Sequence, residues 1–214
     1  MIDVTLIDSM GSDLTVVNAA RVSFNKKSDW DEDNTLTVSD SNLISYLASH
    51  KHMSPFGHCF ASFHVKAPIF VARQLVKHKF LRWNEVSRRY VDYEPELYEP
   101  NDWRGRSVDK KQGSEGTVYP DEDIISFYKH ASLLSYNQLL EAGVAPEQAR
   151  MVLPQSTMTE WYWSGSVHAF AKMCGLRLKP DAQYETRLVA EQIEDKMTEL
   201  FPESWTALRA YDDT

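Results

Sequence analysis

The stretch HCFASFHVKAPIFVARQLVKHKF (residues 58–80) changes its periodicity halfway along. Over residues 58–66 apolar and polar side chains alternate strictly, which predicts a strand with one buried face. That face carries Cys59, Ala61, Phe63 and Val65. Pro68 suits the first position of a helix, and the apolar residues after it predict a helix running to about Lys79. We therefore expect a chain that mixes strands and helices.

The rest of the chain predicts further strands and a largely helical C-terminal half. Strands are expected at residues 2–7 and 89–93, and irregular polar segments at residues 80–88 and 94–122. One helix is expected to end near residues 22–24, another to begin from a cap at Asp40 or Ser41, and another to begin at Pro146. Further helices are expected over about 122–142, 157–174 and 181–200. No internal repeat or linker composition occurs, so residues 1–214 are expected to form a single α+β domain.

Composition limits the class of protein. The 214 residues have an ordinary apolar fraction of 43%, and no apolar run approaches the roughly 18–20 residues that span a bilayer. The N-terminal MIDVTLIDSM has acids where a signal peptide has bases. Cys59 and Cys174 are far apart and match no zinc or redox spacing. These features predict a cytoplasmic protein, or one of the host cytoplasm for a viral chain, without membrane association.

The basic residues are unevenly distributed. Residues 66–90 hold seven Lys and Arg against one acid, Glu85, a net charge of +6 in a chain whose total is −8. A cationic segment in an acidic chain favours a small anionic ligand over a nucleic acid. A solvated basic face is the alternative, although the segment lies inside an apolar helical pattern.

Two groups of polar side chains in this segment suit an anion. Gln74, Lys77 and His78 stand at i, i+3 and i+4 and share one edge of the predicted helix. Further on, Ser87 offers a hydroxyl and the arginines at 88–89 offer planar forks that match phosphate oxygens. The residues by themselves therefore predict an anion-binding turn.

The spacing of this segment resembles the flavin-dependent thymidylate synthases. That family is recognised by Arg-His-Arg, seven residues and then Ser, and this chain has Lys77-His78-Lys79, FLRWNEV and Ser87. Matching blocks in the expected order are ARVSF (20–24), HMSPFGH (52–58), APIFVARQ (67–74), ARMVLP (149–154), and LR (176–177) followed by AQYE (182–185). The resemblance runs from about residue 15 to about residue 190.

The resemblance implies roles for individual residues. Implied FAD contacts are Ser23, His52, Lys77, His78, Lys79, Asn84 and Glu85. A second flavin-binding stretch aligns with Ser166, His168 and Lys172, where Asn, Arg and Asn are common. Implied dUMP ligands are Gln74, Lys77, Glu85, Ser87, Arg88, Arg89, Arg150 and Arg177. Arg177 is also the implied catalytic residue, because it would stabilise negative charge that develops on the uracil ring.

The same resemblance implies an activity and an assembly. The activity is reductive methylation of dUMP to dTMP, with 5,10-methylenetetrahydrofolate as carbon donor, FAD as hydride carrier and NADPH as reductant. The assembly is a homotetramer with active sites at subunit interfaces, and the fold has a central, mostly antiparallel sheet flanked by helices. Lys77 and Lys79 stand where the family has arginine, and they lose its bidentate fork.

Several alternatives remain open from the residues alone. One is a nucleotide- or nucleic-acid-binding module; another is a flavoprotein that oxidises NADPH without methyl transfer. Neither cysteine has the Pro-Cys-His context of the cysteine-dependent thymidylate synthases, and no base is placed beside Ser87 to make it a nucleophile. No metal site is expected, because the histidines at 50, 52, 58 and 64 lack a metal-binding spacing.

Overall fold

The computed structural model describes residues 1–108 and 113–211. In chain order the strands are β1 (Asp3–Met10), β2 (Phe60–Pro68), β3 (Leu81–Glu85), β4 (Trp103–Arg106), β5 (Ser114–Val118) and β6 (Met158–Ser166). The helices are α1 (Asp13–Arg21), α2 (Val38–Ser49), α3 (Ile69–Leu75), α4 (Glu122–Glu141), α5 (Pro146–Ala149), α6 (Val167–Arg177), α7 (Tyr184–Leu200) and α8 (Pro202–Ala210). Short 3-10 turns occur at Val22–Phe24, Pro55–His58 and Arg150–Val152. None of the helices in these ranges is long and apolar enough to cross a membrane.

The main sheet has the strand order β1-β2-β6-β3, and every neighbouring pair is antiparallel. The predicted alternation over 58–66 is confirmed, because Cys59, Ala61, Phe63 and Val65 are all buried. They pack with Trp161 and Trp163 of β6 beneath the helices that contact the sheet, α3, α6 and α7. The opposite face carries the paired residues His64 and Tyr162, and it is half-buried or exposed. The predicted α+β class with an antiparallel sheet is therefore confirmed.

Four segments between residues 76 and 122 differ from their prediction. The helix expected to reach Lys79 ends at Leu75, and residues 81–85, expected to be irregular, form β3. Residues 89–93, expected to be a strand, contain a turn and no strand. The segment 94–122 contains the antiparallel pair β4–β5 on either side of residues 109–112, which lie outside the described part of the chain. Polar composition hid all three strands: β3 pairs with the distant strand β6, and β4 and β5 pair only with each other.

The largest correction concerns β6, which was expected to be the first part of a helix over 157–174. Its aromatic run pairs with β2 on one side and β3 on the other, and aromatic residues suit a strand that is buried on one face. Gly165 permits the close approach of β3, since a Cβ there would lie 3.1 Å from the Phe80 carbonyl oxygen. The helical part begins only at Val167.

The cap of α2 also differs from the prediction. Thr37 caps the helix, because its hydroxyl accepts a hydrogen bond from the backbone N–H of Asp40 at 3.2 Å. Asp40 instead lies inside the first turn, where its buried carboxylate accepts hydrogen bonds from Arg21 of α1. This pair joins the two N-terminal helices.

Candidate functional site

Arg177, the last residue of α6, reaches the residues that follow α3. Its Nε donates a hydrogen bond to His78 Nε2 at 2.9 Å, and its Nη2 donates to the Gln74 carbonyl oxygen at 3.0 Å. The Gln74 side-chain amide donates to Gln183, just before α7. The fold thus brings together three predicted site residues, two of which are about a hundred positions from the third.

The protonation of this cluster follows from its burial. Burial, together with the nearby Arg177 charge, lowers the pKa of His78 to about 4. Burial also lowers the pKa of Arg177 from its usual value, although arginine remains charged at neutral pH. Since His78 Nε2 accepts from Arg177, the neutral imidazole carries its proton on Nδ1. The cluster therefore presents a fixed cation and a neutral N–H donor.

We predict that His78 stays neutral across the physiological pH range. In a pH titration followed by imidazole NMR, its resonance should move with a midpoint near 4, because protonation would put a second buried positive charge beside Arg177. The His78→Gln variant identifies the resonance. A midpoint near the ordinary value of about 6.5 would contradict this account of the cluster.

A cavity of about 390 Å³ lies where β3 ends. Its walls include three predicted nucleotide ligands, Glu85, Arg88 and Arg150, together with Lys66 and Thr159. Three larger cavities, of about 690 and 680 Å³ around the β4–β5 pair and about 460 Å³ beside α1, are lined by none of the predicted site residues. The chemistry therefore favours the smaller cavity as a candidate nucleotide site.

The arginines that line this cavity, and Arg89 next to Arg88 in the sequence, have defined partners. Arg88 donates to the Tyr93 carbonyl oxygen at 2.5 Å, and its guanidinium lies 4.6 Å from the centre of the Tyr93 ring. Arg150 Nε donates to the Glu147 carbonyl oxygen at 3.2 Å. Arg89 Nε lies 3.5 Å from the Glu147 carboxylate. Since each of these contacts uses part of a guanidinium fork, N–H groups remain for an anion.

Glu85 and Ser87 are held near the same edge. Glu85 Oε1 accepts from the Thr159 hydroxyl at 2.8 Å, and Oε2 accepts from the Trp83 indole N–H at 3.1 Å. The Ser87 hydroxyl oxygen accepts from the Arg89 backbone N–H at 3.4 Å. The contacts from Thr159 and Trp83 were missed by sequence reasoning. The Trp83 contact follows from i, i+2 spacing on a strand, a signal that was hidden because β3 was not predicted.

The predicted flavin residues gather largely at the other end of β3. Leu81 pairs with Gly165, so the turn that carries Lys77, His78 and Lys79 lies beside the start of α6. Ser166 caps that helix, accepting from the Ala169 N–H at 3.3 Å. His168 and Lys172 lie on the same helix.

These residues fit a flavin dinucleotide. The ammonium groups of Lys77, Lys79 and Lys172 belong to exposed residues, and the N-terminus of a helix favours a phosphate. β3 spans about 13 Å between the two candidate sites, a length obtained from about 3.3 Å per residue. One short strand therefore connects a candidate dinucleotide site with a candidate mononucleotide site.

Three other predicted flavin contacts lie outside both the 77–79 turn and α6. Ser23 lies in the exposed turn after α1. His52 is exposed, and its ring lies 6.3 Å from His50 with a 9° angle between the ring planes. Asn84 pairs with exposed Tyr162, whereas Glu85 pairs with buried Trp161, so the neighbouring side chains point to opposite faces of the sheet. A ligand that touches both must wrap around the strand or come from two sides.

Both thiols are buried. Burial raises the pKa of Cys59 to about 11, and its Sγ donates to the Ser12 carbonyl oxygen at 3.2 Å. Cys174 is buried within α6. A thiol nucleophile needs access and a lowered pKa, so neither cysteine suits that role. Within the part of the chain that the structure describes, no group of three metal-ligating side chains occurs.

Comparison with known proteins identifies the class. Residues 5–203 match the model of the family described as thymidylate synthase complementing protein. A flavin-dependent thymidylate synthase of Thermus thermophilus is 42% identical over 211 residues, covering 97% of this chain and 76% of the relative. The enzyme of the same description from Thermosipho africanus is 39% identical over 208 residues, covering 94% and 87%.

A solved structure agrees with these matches. The crystal structure of the UMP/dUMP methylase PolB from Streptomyces cacaoi, bound with 5-Br dUMP, superimposes with a TM-score of 0.86 at 34% identity. The alignment covers 99% of this chain and 96% of that one. The fold and the family match together show an enzyme of flavin-dependent nucleotide methylation. This chain belongs to the flavin-dependent thymidylate synthase family.

Proposed function

We propose that this protein methylates dUMP to dTMP reductively, with 5,10-methylenetetrahydrofolate as carbon donor, FAD as hydride carrier and NADPH as reductant. The observation that carries the proposal is the cavity at the end of β3, where Glu85 and Arg88 meet Arg150, a residue from a distant part of the sequence. The family match supports the reaction class. Two buried thiols support a route without an enzyme cysteine nucleophile.

The chain's residues have distinct tasks in this proposal. Arg88, Arg89 and Arg150 bind the nucleotide phosphate through charge-assisted hydrogen bonds, and the Ser87 hydroxyl adds a donor. Glu85 accepts a hydrogen bond from the nucleotide, while Gln74 and Lys77 contact it from the side of α3. Arg177 lies at the uracil ring and stabilises negative charge as C5 becomes nucleophilic. His78, neutral beside Arg177, offers an N–H without adding a competing charge.

The flavin is held by the residues at the start of β3 and α6. These residues would hold FAD, whose chemistry would be to take a hydride from NADPH and supply it to the methylene carbon on C5 of uracil, which thereby becomes the methyl group. Lys77 and Lys79 neutralise its pyrophosphate as point charges, and Ser166, His168 and Lys172 contact it from α6. Ser23, His52 and Asn84 complete the set on the exposed side. Lysine in place of arginine predicts weaker but still electrostatic retention of the dinucleotide.

A homotetramer with active sites between subunits belongs to the same proposal. Among its described residues α4 buries only Tyr136, and its apolar side chains Ile124, Phe127 and Leu134 are 64%, 74% and 47% exposed. Exposed apolar side chains on one long helix are typical of a subunit interface. A second copy also accounts for flavin residues on both faces of β3. We place the enzyme in the cytoplasm, without nucleic-acid or membrane partners.

The test is dTMP formation from dUMP, methylenetetrahydrofolate and NADPH, with and without added FAD. Product that depends on FAD supports the proposal. Oxidation of NADPH without dTMP indicates a flavin oxidase or reductase, and the dUMP assignments then fail. Absence of both turnover and flavin binding leaves a plain nucleotide-binding protein.

The sugar of the substrate needs its own comparison, because the similar PolB is a UMP/dUMP methylase. We expect methylation of dUMP to exceed that of UMP when both are assayed at equal concentration with the same cofactors. Equal or faster turnover of UMP would overturn the choice of deoxyribonucleotide while leaving the reaction class intact.

A further inference from the structure

Glu85 is held by a donor on each of its two oxygens. The Thr159 hydroxyl donates to Oε1 at 2.8 Å, and the Trp83 indole N–H donates to Oε2 at 3.1 Å. We propose that Trp83 and Thr159 are positioning residues that orient the Glu85 carboxylate toward the nucleotide, an inference that rests on the proposed function. Neither residue needs to touch the nucleotide for this role.

The position of the indole donor is itself constrained. Trp83 and Glu85 are two residues apart on β3, so their side chains lie on the same face. The Trp83 ring stacks on Trp161 with ring centres 4.4 Å apart and an angle of 19°, and it meets Trp163 edge-on at 5.8 Å. Rotation of the indole away from Glu85 would break both aromatic contacts. The N–H is therefore a fixed donor rather than a rotating one.

Thr159 fixes the other oxygen from a different strand. It lies on β6, is 8% exposed, and lines the same cavity as Glu85. Because the two donors come from neighbouring strands, the carboxylate is held in one orientation between them. Each oxygen of an ionised carboxylate can accept more than one hydrogen bond, so capacity remains on both for the ligand.

This arrangement predicts what the carboxylate recognises. An ionised carboxylate accepts hydrogen bonds and cannot donate them, so its ligand group is a hydroxyl or an N–H of the nucleotide. Arg88, Arg150 and Lys66 line the same cavity, so the carboxylate lies among positively charged side chains. Orientation matters because a freely rotating carboxylate would lose side-chain entropy when it binds the ligand.

The test uses Trp83→Phe, which keeps an aromatic ring but removes the N–H, and Thr159→Val, which keeps the shape but removes the hydroxyl. Each should raise the Kd for dUMP, measured calorimetrically, by roughly tenfold. KM for dUMP should rise in parallel with little change in kcat, since the bound nucleotide and the transition state lose the contact equally. Thr159→Ser restores a hydroxyl and should bind within about twofold of the wild type.

Matched controls separate positioning from general damage. Thr198→Val removes a hydroxyl that donates to the Glu194 carbonyl on α7, outside the cavity, and should leave the Kd unchanged. In a Glu85→Ala background, Trp83→Phe and Thr159→Val should have no further effect, because there is no carboxylate left to orient. A full tenfold loss in that background would show that these residues act by another route, and would overturn the inference.

The possible outcomes separate a failure of the positioning role from a failure of the proposed function. Wild-type protein that does not bind dUMP overturns both. Wild-type binding that Glu85→Ala weakens but that Trp83→Phe and Thr159→Val leave unchanged overturns the positioning role alone. Thr159→Ser also guards against misfolding of the valine variant, since a Ser variant that binds as weakly as the Val variant would contradict the role of the hydroxyl.

Discussion

Replacing Arg177 with alanine should lower kcat for dTMP formation by about a hundred- to a thousandfold, the effect of removing one well-placed donor to a developing negative charge. The guanidinium is half-buried and oriented by His78 and Gln74, so water does not reproduce its geometry. Steady-state turnover at saturating dUMP and FAD measures the effect. The same variant should raise the pKa of His78 above about 4, yet keep it below the ordinary value because burial, the larger cause, remains.

Arg187→Ala is the matched control for this prediction. Arg187 lies on α7, and its Nε is 4.0 Å from Glu191 in an i, i+4 pair. Its removal takes away one arginine without touching the site, so kcat should stay within about twofold. An Arg177→Ala variant with wild-type kcat would exclude Arg177 from the chemistry. Arg177→Lys should recover only part of the rate, because a point charge lacks the planar fork that holds both contacts.

Replacing Asp40 with alanine should reduce the free energy of unfolding by about 3 kcal/mol, because it leaves a largely buried guanidinium without its partner. Asp40 is 2% exposed and accepts from Arg21 Nε at 3.0 Å and Nη2 at 2.5 Å. Its carboxylate also accepts from the hydroxyls of Ser28 and Thr37, both at 3.0 Å. In a chain of this length the melting temperature should fall by about 10 °C, measured by calorimetry.

The same carboxylate predicts an acid limit to stability. Burial alone would raise the pKa of Asp40, but the hydrogen bonds from Arg21, Ser28 and Thr37 outweigh burial, and the net pKa is lowered. The contribution of this group is therefore fully present above the ordinary aspartate pKa and is lost as the pH falls through the lowered value. The difference in stability between wild type and Asp40→Ala should thus be constant near neutral pH and shrink in acid.

Asp29→Ala is the control for this second prediction. Asp29 lies 3.1 Å from Lys27, but both side chains are largely exposed, at 79% and 75%. Solvent screens such a pair, so its removal should not change the melting temperature measurably. Equal losses from Asp29→Ala and Asp40→Ala would show that the Arg21–Asp40 contact adds nothing specific to stability.

Sequence patterns correctly predicted the strands and helices whose conformation depends on residues close to one another in the chain. The alternation over 58–66 predicted β2 because a side-chain period of two is a property of the strand itself. Gly143, with φ at +82°, ends α4 at the position predicted from the sequence, since a glycine accepts the left-handed conformation without strain. Residues 157–166 were mistaken for helix because their pairing partners, β2 and β3, lie about a hundred and about eighty residues away.

The sequence by itself determined the family, through the spacing of Lys77-His78-Lys79 and Ser87 and the order of the other blocks, and the match over residues 5–203 confirmed it. Only the tertiary structure decided which residues meet. Arg177 contacts His78 across 99 positions, and Thr159 contacts Glu85 across 74. A hydrogen bond needs its two atoms about 3 Å apart, and sequence positions do not say which residues lie that close in space. These contacts therefore form only once the sheet has brought the residues together.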